Sequence, residues 1–492
     1  MTGTPAWTEG YRTDIDYAHS IYAEMTPAHL AFCLLLKGFR PPSSLCGHFH
    51  FAELGCGQGL TSNMLAAIHP QADFVAVDFM PAHIAAAQAL AEEIESSNIA
   101  FRDDSFARFL GQDGPLFDVI ALHGVWSWIS AENRTVLLDI LSRRLAPGGI
   151  VYVSYNCLPG WAAQMPIQRL LQEGVRAASG PLSDRIESAL RLAHRMADLD
   201  VGYWGHVPGA AAHLNGLDGK SDSYISHEYL NRDWVPFYHA DVAAQMAEAK
   251  LTFVGSATPA DHLDDGLSPQ GRSLLADAVD DLQRETFRDY LTYNRFRRDI
   301  YQRGAQPVPV AERRALLQAM RFGVMEEGAA LTSPVERLVM AGFADGGSVM
   351  ALSDIMSDML GFDDALAAVT ALVGRGVLAP LWGDVDAAGA RRFNDAVLIS
   401  NRWSPHLRQL VSPLTGGAVM LDLLERLFLL ADRSPEQQDP AAFAWSILQE
   451  RGKRLLRDGQ FLIGDDNLAE MRHLYARYRA GRQEFLGKIG IR

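Results

Sequence analysis

A glycine-rich turn is the first feature of this chain that could do chemistry. Gly55, Gly57 and Gly59 stand at alternate positions with Cys56 between the first two, and Glu53 lies two residues ahead of them. Glycines let a backbone approach a ligand closely and leave the amides of a following helix free to bind it. Dinucleotide enzymes use the wider GxGxxG spacing, and a pyrophosphate gains nothing from an acid at this place. The tighter spacing therefore favours S-adenosyl-L-methionine, whose methionine ammonium the Glu53 carboxylate can hold.

Two further groups of residues follow the next two predicted strands. Asp78 comes about 20 residues beyond the glycines, where a carboxylate can accept both ribose hydroxyl protons. The residues predicted to flank or bind the adenine are Phe79, Met80, Asp104, Ser105 and Phe106. Each of them alone is more often a helix cap or a turn residue. Together they stand at the carboxyl ends of successive strands, where open α/β sheets bind ligands, and they predict one cofactor site.

The elements that must position these residues follow from the pattern of apolar residues. Predicted strands over 48–54, 73–78, 99–101, 117–122 and 150–154 alternate with predicted helices over 60–68, 81–96 and 131–145. Residues 221–230 are predicted to be extended, and 251–255 to form a later strand. The alternation predicts the α/β class, with a Rossmann-like, mostly parallel sheet of seven strands covered by helices on both faces.

Composition shifts divide the chain into four expected parts. A lid or helical segment covers 1–42, and the cofactor-binding domain covers 43–305 with a helical insertion at about 163–220. Residues 306–400 are predicted to form a winged-helix-like regulatory domain, and 401–492 a helical C-terminal domain.

The overall charge and the cysteines disfavour several function classes. The net charge of -15 would repel nucleic acid and suits a basic protein partner better. The helix predicted over 363–375 carries two acids and one arginine, which also argues against DNA binding.

The four cysteines form no CxxC pair, so a zinc site or a disulfide framework is not expected, and they fit a reducing cytoplasm. The sequence has neither a signal-peptide pattern nor a run of about 18 apolar residues, and we expect a cytoplasmic protein without a membrane span.

Three segments resemble a known family. HGVWSWI (123–129), VSYNCLPGW (153–161) and HEYLNRDWVPFY (227–238) are similar to the bacterial methyltransferases that carry a methyltransferase regulatory domain. That group includes the rickettsial-type protein lysine methyltransferases of outer-membrane proteins. The resemblance covers roughly residues 10–305 well and the remainder loosely. It implies S-adenosyl-L-methionine as donor, S-adenosyl-L-homocysteine as product, no metal, and direct in-line displacement onto an acceptor such as a protein lysine.

The acceptor side is predicted from residues in these segments. His123 follows the fourth strand, while Tyr155 and Asn156 follow the fifth, and these three are the candidate catalytic residues. His123 is also expected to touch the cofactor, as is Tyr17 from an N-terminal lid. The candidate substrate-binding residues are Trp126, Trp128, Trp161, His227 and Glu228. Plainer interpretations stay open, namely a polar pair in a turn for Tyr155 and Asn156, a packed His123, and tryptophans in the core.

Three functions are compatible with these residues. The first is a protein N-methyltransferase that acts on accessible lysine side chains, and the second is an O- or N-methyltransferase of a small molecule or cell-surface glycan. The third is a cofactor-binding regulatory or assembly protein without turnover. The sequence leaves the oligomeric state open, a homodimer included.

Overall fold

The structure, a computed structural model, describes residues 20–400, 406–434 and 438–491 of the chain. It begins with a 3-10 turn at Ala23–Met25 and helix α1 (Pro27–Lys37), followed by a second 3-10 turn at Ser43–Cys46. Strands and helices then alternate as the apolar pattern predicts. They are β1 (His50–Leu54), α2 (Leu60–Ile68), β2 (Asp73–Asp78), α3 (Pro81–Glu93), β3 (Ile99–Asp103), α4 (Phe106–Leu110), β4 (Phe117–Leu122), α5 (Ala131–Arg144) and β5 (Leu145–Asn156).

A helical insertion and a return to the sheet follow β5. The insertion contains α6 (Met165–Ala177), α7 (Leu182–Ala197), α8 (Tyr203–His206), α9 (Ala210–Asn215) and α10 (Asp222–Tyr229). The return contains α11 (His239–Glu248), β6 (Leu251–Ser256), a 3-10 turn at Pro259–His262, α12 (Pro269–Ala276), α13 (Asp281–Thr292) and β7 (Phe296–Arg303).

These seven strands form one sheet in the order β3-β2-β1-β4-β5-β7-β6. Strands β1 to β5 are parallel, and β7 runs antiparallel to both β5 and β6. The predicted Rossmann-like, mostly parallel sheet is thereby confirmed. The strand order reverses between β1 and β4, and in open α/β sheets such a reversal creates a crevice at the carboxyl ends of the strands.

The prediction for residues 221–230 was wrong. This segment forms helix α10 and not extended structure, because Ser221 caps it: the Ser221 Oγ accepts a hydrogen bond from the Tyr224 amide at 3.2 Å. The helix places its last residues against the crevice of the sheet.

The third part of the chain mixes helices with a small sheet. Its elements are α14 (Val310–Ala319), β8 (Arg321–Val324), α15 (Pro334–Gly346), β9 (Val349–Ala351), α16 (Leu352–Ile355), α17 (Phe362–Gly374) and β10 (Leu378–Leu381). Strand β8 pairs with both β9 and β10 and is therefore the central strand of this sheet. It follows α14 and precedes α15, α16 and α17. The winged-helix-like character of 306–400 stays a prediction.

The residues from 387 onward, here called the C-terminal part, are mainly helical. They also contain two short hairpins, which the sequence did not predict. The elements of this part are α18 (Ala387–Ser400), β11 (Gln409–Val411), β12 (Ala418–Met420), α19 (Leu423–Asp432), α20 (Pro440–Glu450), β13 (Leu456–Arg457), β14 (Gln460–Phe461), α21 (Asp466–Ala480) and α22 (Arg482–Lys488). In the described parts of the chain, no helix is both long and apolar enough to cross a membrane.

Helix α18 packs closely against α2, the helix that follows the glycine turn. All nine residues of α2 are buried. The two helices approach at Gly389, where a Cβ atom would stand 1.8 Å from the carbonyl oxygen of Ala67. The Asp386 amide also donates a hydrogen bond to the Ile68 carbonyl at 2.9 Å. The C-terminal part therefore covers a face of the cofactor-binding domain.

Candidate functional site

The glycine turn joins β1 to α2 in a conformation that larger residues would strain. Gly55 and Gly59 have φ angles of +83° and +65°. A Cβ atom on Gly55 would lie 2.5 Å from a methyl carbon of Val125, and one on Gly59 would lie 2.5 Å from the ring of Phe101. The turn is therefore packed against neighbouring elements at Gly55 and Gly59, where it has no space for a side chain.

A cavity opens beside this turn at the carboxyl ends of the strands. Most of the residues predicted to form the site line it: Glu53, Gly55, Cys56, Gly57, Gly59, Asp78, Phe79, Asp104, Ser105, Phe106, His123, Trp128, His227 and Glu228. The lining set does not include Met80, Trp126, Trp161, Tyr155 or Asn156. Tyr17 lies outside the described residues.

Asp78 is fixed by the backbone at the end of β2. One carboxylate oxygen accepts a hydrogen bond from the Gly57 amide at 2.9 Å, and the other accepts one from the Met80 amide at 2.9 Å. Met80 thus supports the site through its main chain, while its side chain is buried. A carboxylate held in this way has further lone pairs for a ribose diol, as the sequence predicts.

Glu53 is a buried acid that would be stabilised by a cation. Its carboxylate accepts a hydrogen bond from the Ser62 hydroxyl. Burial and, to a smaller extent, the nearby Asp78 charge raise the pKa of Glu53 to about 8, although the hydrogen bond from Ser62 lowers it. A bound ammonium group would favour the ionised form, so the residue fits the amino group of a methionine moiety.

Asp104 presents a fixed carboxylate at the far wall. Arg108 donates to one oxygen at 2.8 Å and Gln112 to the other at 2.8 Å. Ser105 and Phe106 follow it on the cavity wall, at the place predicted for the adenine.

The charge of the lining set is one-sided. It includes five carboxyl groups, on Glu53, Asp78, Asp104, Glu228 and Asp233, and none of its members is a lysine or an arginine. Two of these acids have arginine partners outside the set, Asp104 with Arg108 and Asp233 with Arg232. S-adenosyl-L-methionine carries a sulfonium and an ammonium group, so a cavity of this charge suits it.

His123 is a neutral group at the cavity wall. Burial lowers its pKa to about 4, and its Nδ1 lies 2.8 Å from the Tyr152 hydroxyl. The ring of Tyr22 stacks on it with the centroids 3.6 Å apart. A histidine with so low a pKa is a weak proton acceptor, and it fits a packing and orienting role better than that of a base.

The structure does not bring Tyr155 to the cavity. Its side chain is fully buried, and its hydroxyl donates to Asp299 at 2.5 Å. Side chains alternate along a strand, and it is Tyr152 and Ser154 that contact the His123–Gly124 loop. Tyr155 faces the opposite side, so its assignment to the acceptor side is corrected.

Asn156, Trp126 and Trp161 are also structural in this fold. The main-chain amide of Asn156 donates to the Ser127 hydroxyl at 2.9 Å, which ties β5 to the loop after β4, and the Asn156 side chain is buried outside the lining set. Trp126 is fully buried in the core behind the sheet. Trp161 packs edge-on against Trp234 within the helical insertion. These three side chains, which were predicted to belong to the site, lie outside the cavity lining.

Residues of α10 and of the loop after β4 form a further part of the cavity wall. His227 and Glu228 enter from the last turn of α10, and Trp128 from the loop after β4. Burial raises the pKa of Glu228 to about 7. The lining set thus contains both a carboxyl group with a pKa of about 7 and the aromatic ring of Trp128.

Sequence reasoning did not assign several lining residues. Ser20, Thr61, Asn133 and Asp233 lie in the wall, and Tyr22 was expected only as part of a lid. Asp233 stands within the segment that carries the family resemblance, and that position was the one available signal. The other residues reach the cavity through contacts that the local pattern does not encode.

A possible metal-binding cluster lies elsewhere. Among the described residues, His48, His50 and Asp73 have ligand atoms within 4.8 Å of one another, at the amino ends of β1 and β2. The cavity is at the carboxyl ends of these strands, so the cluster does not belong to it.

Comparison with known proteins gives a consistent result. Residues 52–151 match the family model of a methyltransferase domain, and residues 221–303 match that of a predicted methyltransferase regulatory domain. An uncharacterized protein of Synechocystis is 33% identical over 508 residues, which covers 99% of both chains. An uncharacterized protein of Rickettsia prowazekii is 27% identical over 60% of this chain and 53% of its own length. The solved structure of PKMT2 from Rickettsia typhi in complex with AdoHcy superposes with a TM-score of 0.71, at 19% identity, over 94% of this chain and 98% of that one.

Proposed function

Since the chain belongs to the family of S-adenosyl-L-methionine-dependent methyltransferases that carry a methyltransferase regulatory domain, we propose that it methylates lysine side chains of proteins. In this reaction the lysine Nζ attacks the methyl carbon, the carbon–sulfur bond breaks in line, and S-adenosyl-L-homocysteine leaves. One proton of the amine must be lost to the protein or to water.

The one-sided charge of the cavity is the observation that carries this proposal. Glu228 and Asp233 join three acids of the cofactor end, and no lysine or arginine is among the described lining residues. Charges of the same sign repel strongly where little water screens them. The cavity therefore favours a cationic amine over a carboxylate or phosphate acceptor.

Glu228 is the residue best suited to manage the amine proton. The lysine ammonium must become neutral before it can attack, and a carboxylate nearby can bind the ammonium and accept a proton from it. A pKa of about 7 means that Glu228 is ionised in a large share of molecules at neutral pH and is still basic enough to hold the proton. Trp128, in the same wall, offers an apolar face for the methylene stem of a lysine.

The family likeness adds support of a different kind. The segments at 123–129, 153–161 and 227–238 resemble the rickettsial-type protein lysine methyltransferases. The fold shared with PKMT2 agrees with this assignment, although at 19% identity it bears on architecture and not on the acceptor.

Exchange of Glu228 for glutamine is expected to lower kcat with a lysine peptide by about a hundredfold, the effect typical of a lost proton acceptor. The pH profile should change as well. Because the carboxyl group is neutral below about pH 7 and ionised above it, wild-type kcat/KM should rise through that pH, and the variant should lose this limb. Steady-state rates between pH 6 and about 9 would measure both effects.

Glu248 offers a matched control, because it is an exposed acid at the end of α11. Glu248→Gln makes the same chemical change and should leave the rate and the profile as they are. A Glu228→Gln enzyme with a wild-type profile would contradict the assigned role.

The acceptor itself can be tested with methyl-labelled cofactor and a bacterial lysate. Label should appear in protein, and peptide mapping by mass spectrometry should find it on lysine Nζ. Prior acetylation of the lysate lysines should abolish the labelling. Label found only in small molecules or glycan would contradict the proposal in favour of the second function considered above, and cofactor binding without any labelling would favour the third.

A further inference from the structure

Residues 20–24, here called the wall segment, form one side of the cavity. Ser20 and Tyr22 line it, and Tyr22 stacks on His123. Burial raises the pKa of Tyr22 to about 12, so its phenol stays neutral in the physiological range. Because the wall segment is not part of the sheet, hydrogen bonds and an ion pair to other elements must hold it against the cavity.

One set of attachments connects the wall segment to the cofactor-binding domain. The Tyr22 amide donates to the Thr61 hydroxyl at 3.2 Å, and that hydroxyl donates to the Ser20 carbonyl at 3.3 Å. Thr61 stands in the first turn of α2, directly after the glycine turn. At the other end of the segment, Glu24 forms an ion pair with Arg298 of β7 at 2.7 Å.

A second set connects it to the C-terminal part. The Gln409 side chain spans the main chain of Ile21: its oxygen accepts from the Ile21 amide at 2.6 Å, and its nitrogen donates to the Ile21 carbonyl at 3.1 Å. The same oxygen is 3.3 Å from the Ser20 hydroxyl, which donates to it. The side-chain amide of Gln409 therefore holds the main chain of Ile21, the residue next to Tyr22.

Gln409 is itself held in a fixed place. It begins β11, and the Val411 amide and carbonyl of this strand both bond to the Asn394 side chain of α18, at 2.7 and 2.8 Å. Helix α18 packs on α2 through the close contact at Gly389. The wall segment thus lies between two elements whose relative position is set by helix packing.

We infer that Gln409 is a positioning residue for methyl transfer, which keeps the wall segment closed over the cofactor cavity. The C-terminal part then completes the active site, even though none of its described residues lines the cavity. The inference rests on the proposed function only in that the cavity takes S-adenosyl-L-methionine, and it does not depend on the acceptor.

The inference predicts a loss of ligand affinity when the amide is replaced. Gln409→Leu keeps the approximate size of the side chain and loses all three of its hydrogen bonds to Ser20 and Ile21. Gln409→Glu loses only the bond donated to the Ile21 carbonyl and can still accept those from the Ser20 hydroxyl and the Ile21 amide. If the leucine variant leaves the wall segment closed in one molecule in ten, the Kd for S-adenosyl-L-homocysteine rises about tenfold. The glutamate variant should lie between the leucine variant and the wild type.

The experiment is a calorimetric titration of the full-length protein with S-adenosyl-L-homocysteine, together with hydrogen exchange of the wall segment. Exchange at residues 20–24 should rise in the leucine variant, while exchange in α18 should stay as in the wild type. Arg408→Ala is a matched control, because Arg408 is the exposed neighbour of Gln409. This variant should bind as the wild type does.

The outcomes separate this inference from the proposed function. Wild-type affinity in both Gln409 variants would overturn the inference, whatever acceptor the enzyme uses. If the leucine variant fails to fold, the glutamate variant decides, since it retains the bonds accepted from Ser20 and Ile21. Weakened binding in these variants together with no label on lysine would leave the inference standing and reject only the acceptor.

Discussion

Replacement of Arg297 by methionine is expected to unfold the protein or to reduce its stability severely. The guanidinium group is buried and forms ion pairs with Glu285 at 2.8 Å, Asp289 at 2.8 Å and Asp299 at 2.9 Å. All three acids are buried too. Removal of one partner from a buried ion pair costs about 3–5 kcal/mol, because the remaining charge has lost its compensation. That loss is comparable with the whole stability of many domains, which is about 5–15 kcal/mol.

Thermal unfolding followed by circular dichroism would measure this effect. Arg295→Met is the matched control, since Arg295 lies two residues away and is exposed. The control should unfold within a few degrees of the wild type. An Arg297→Met protein that unfolds at the wild-type temperature would show that the carboxyl groups find compensation elsewhere, and it would contradict our account of this cluster.

Exchange of Asp78 for alanine is expected to weaken cofactor binding by about a thousandfold. The change removes a carboxylate that would accept two ribose hydroxyls, and each bond to a charged group contributes about 1.5–3 kcal/mol. It also releases the Gly57 amide, which Asp78 holds at 2.9 Å, and so loosens the turn. Two bonds of about 2 kcal/mol correspond to a factor of about 1000 in Kd.

A titration with S-adenosyl-L-methionine would test this expectation. Asp103 is a suitable control, because it ends the neighbouring strand β3 and is exposed outside the lining set. Asp103→Ala should change the Kd little. Binding by the Asp78→Ala protein within tenfold of the wild type would exclude a ribose contact at this residue.

Most of the residues predicted to bind the cofactor lie together in one cavity wall for a physical reason. Gly55 and Asp104 come directly after a strand and Asp78 is the last residue of one, and the carboxyl ends of parallel strands share one edge. A position after a strand does not say which face a side chain takes. Tyr155 was therefore assigned to the wrong side, because a shift of one residue along a strand reverses its face.

The rest of the site depends on contacts that are distant in sequence. The bond between Ile21 and Gln409 spans 388 residues, and no local pattern signals it. Helix α10 was missed for a different reason. Polar and apolar residues in this segment show no helical periodicity, and the capping residue Ser221 was the only sign of a helix.

The full burial of α2 has a consequence for shortened versions of this chain. A helix without a solvent-facing side cannot serve at the surface of a free-standing module. A truncated protein that ends after β7 would expose the apolar side that α18 now covers, and it would tend to aggregate. We therefore expect the catalytic part of this chain to need the C-terminal part in order to stay folded and dispersed in solution.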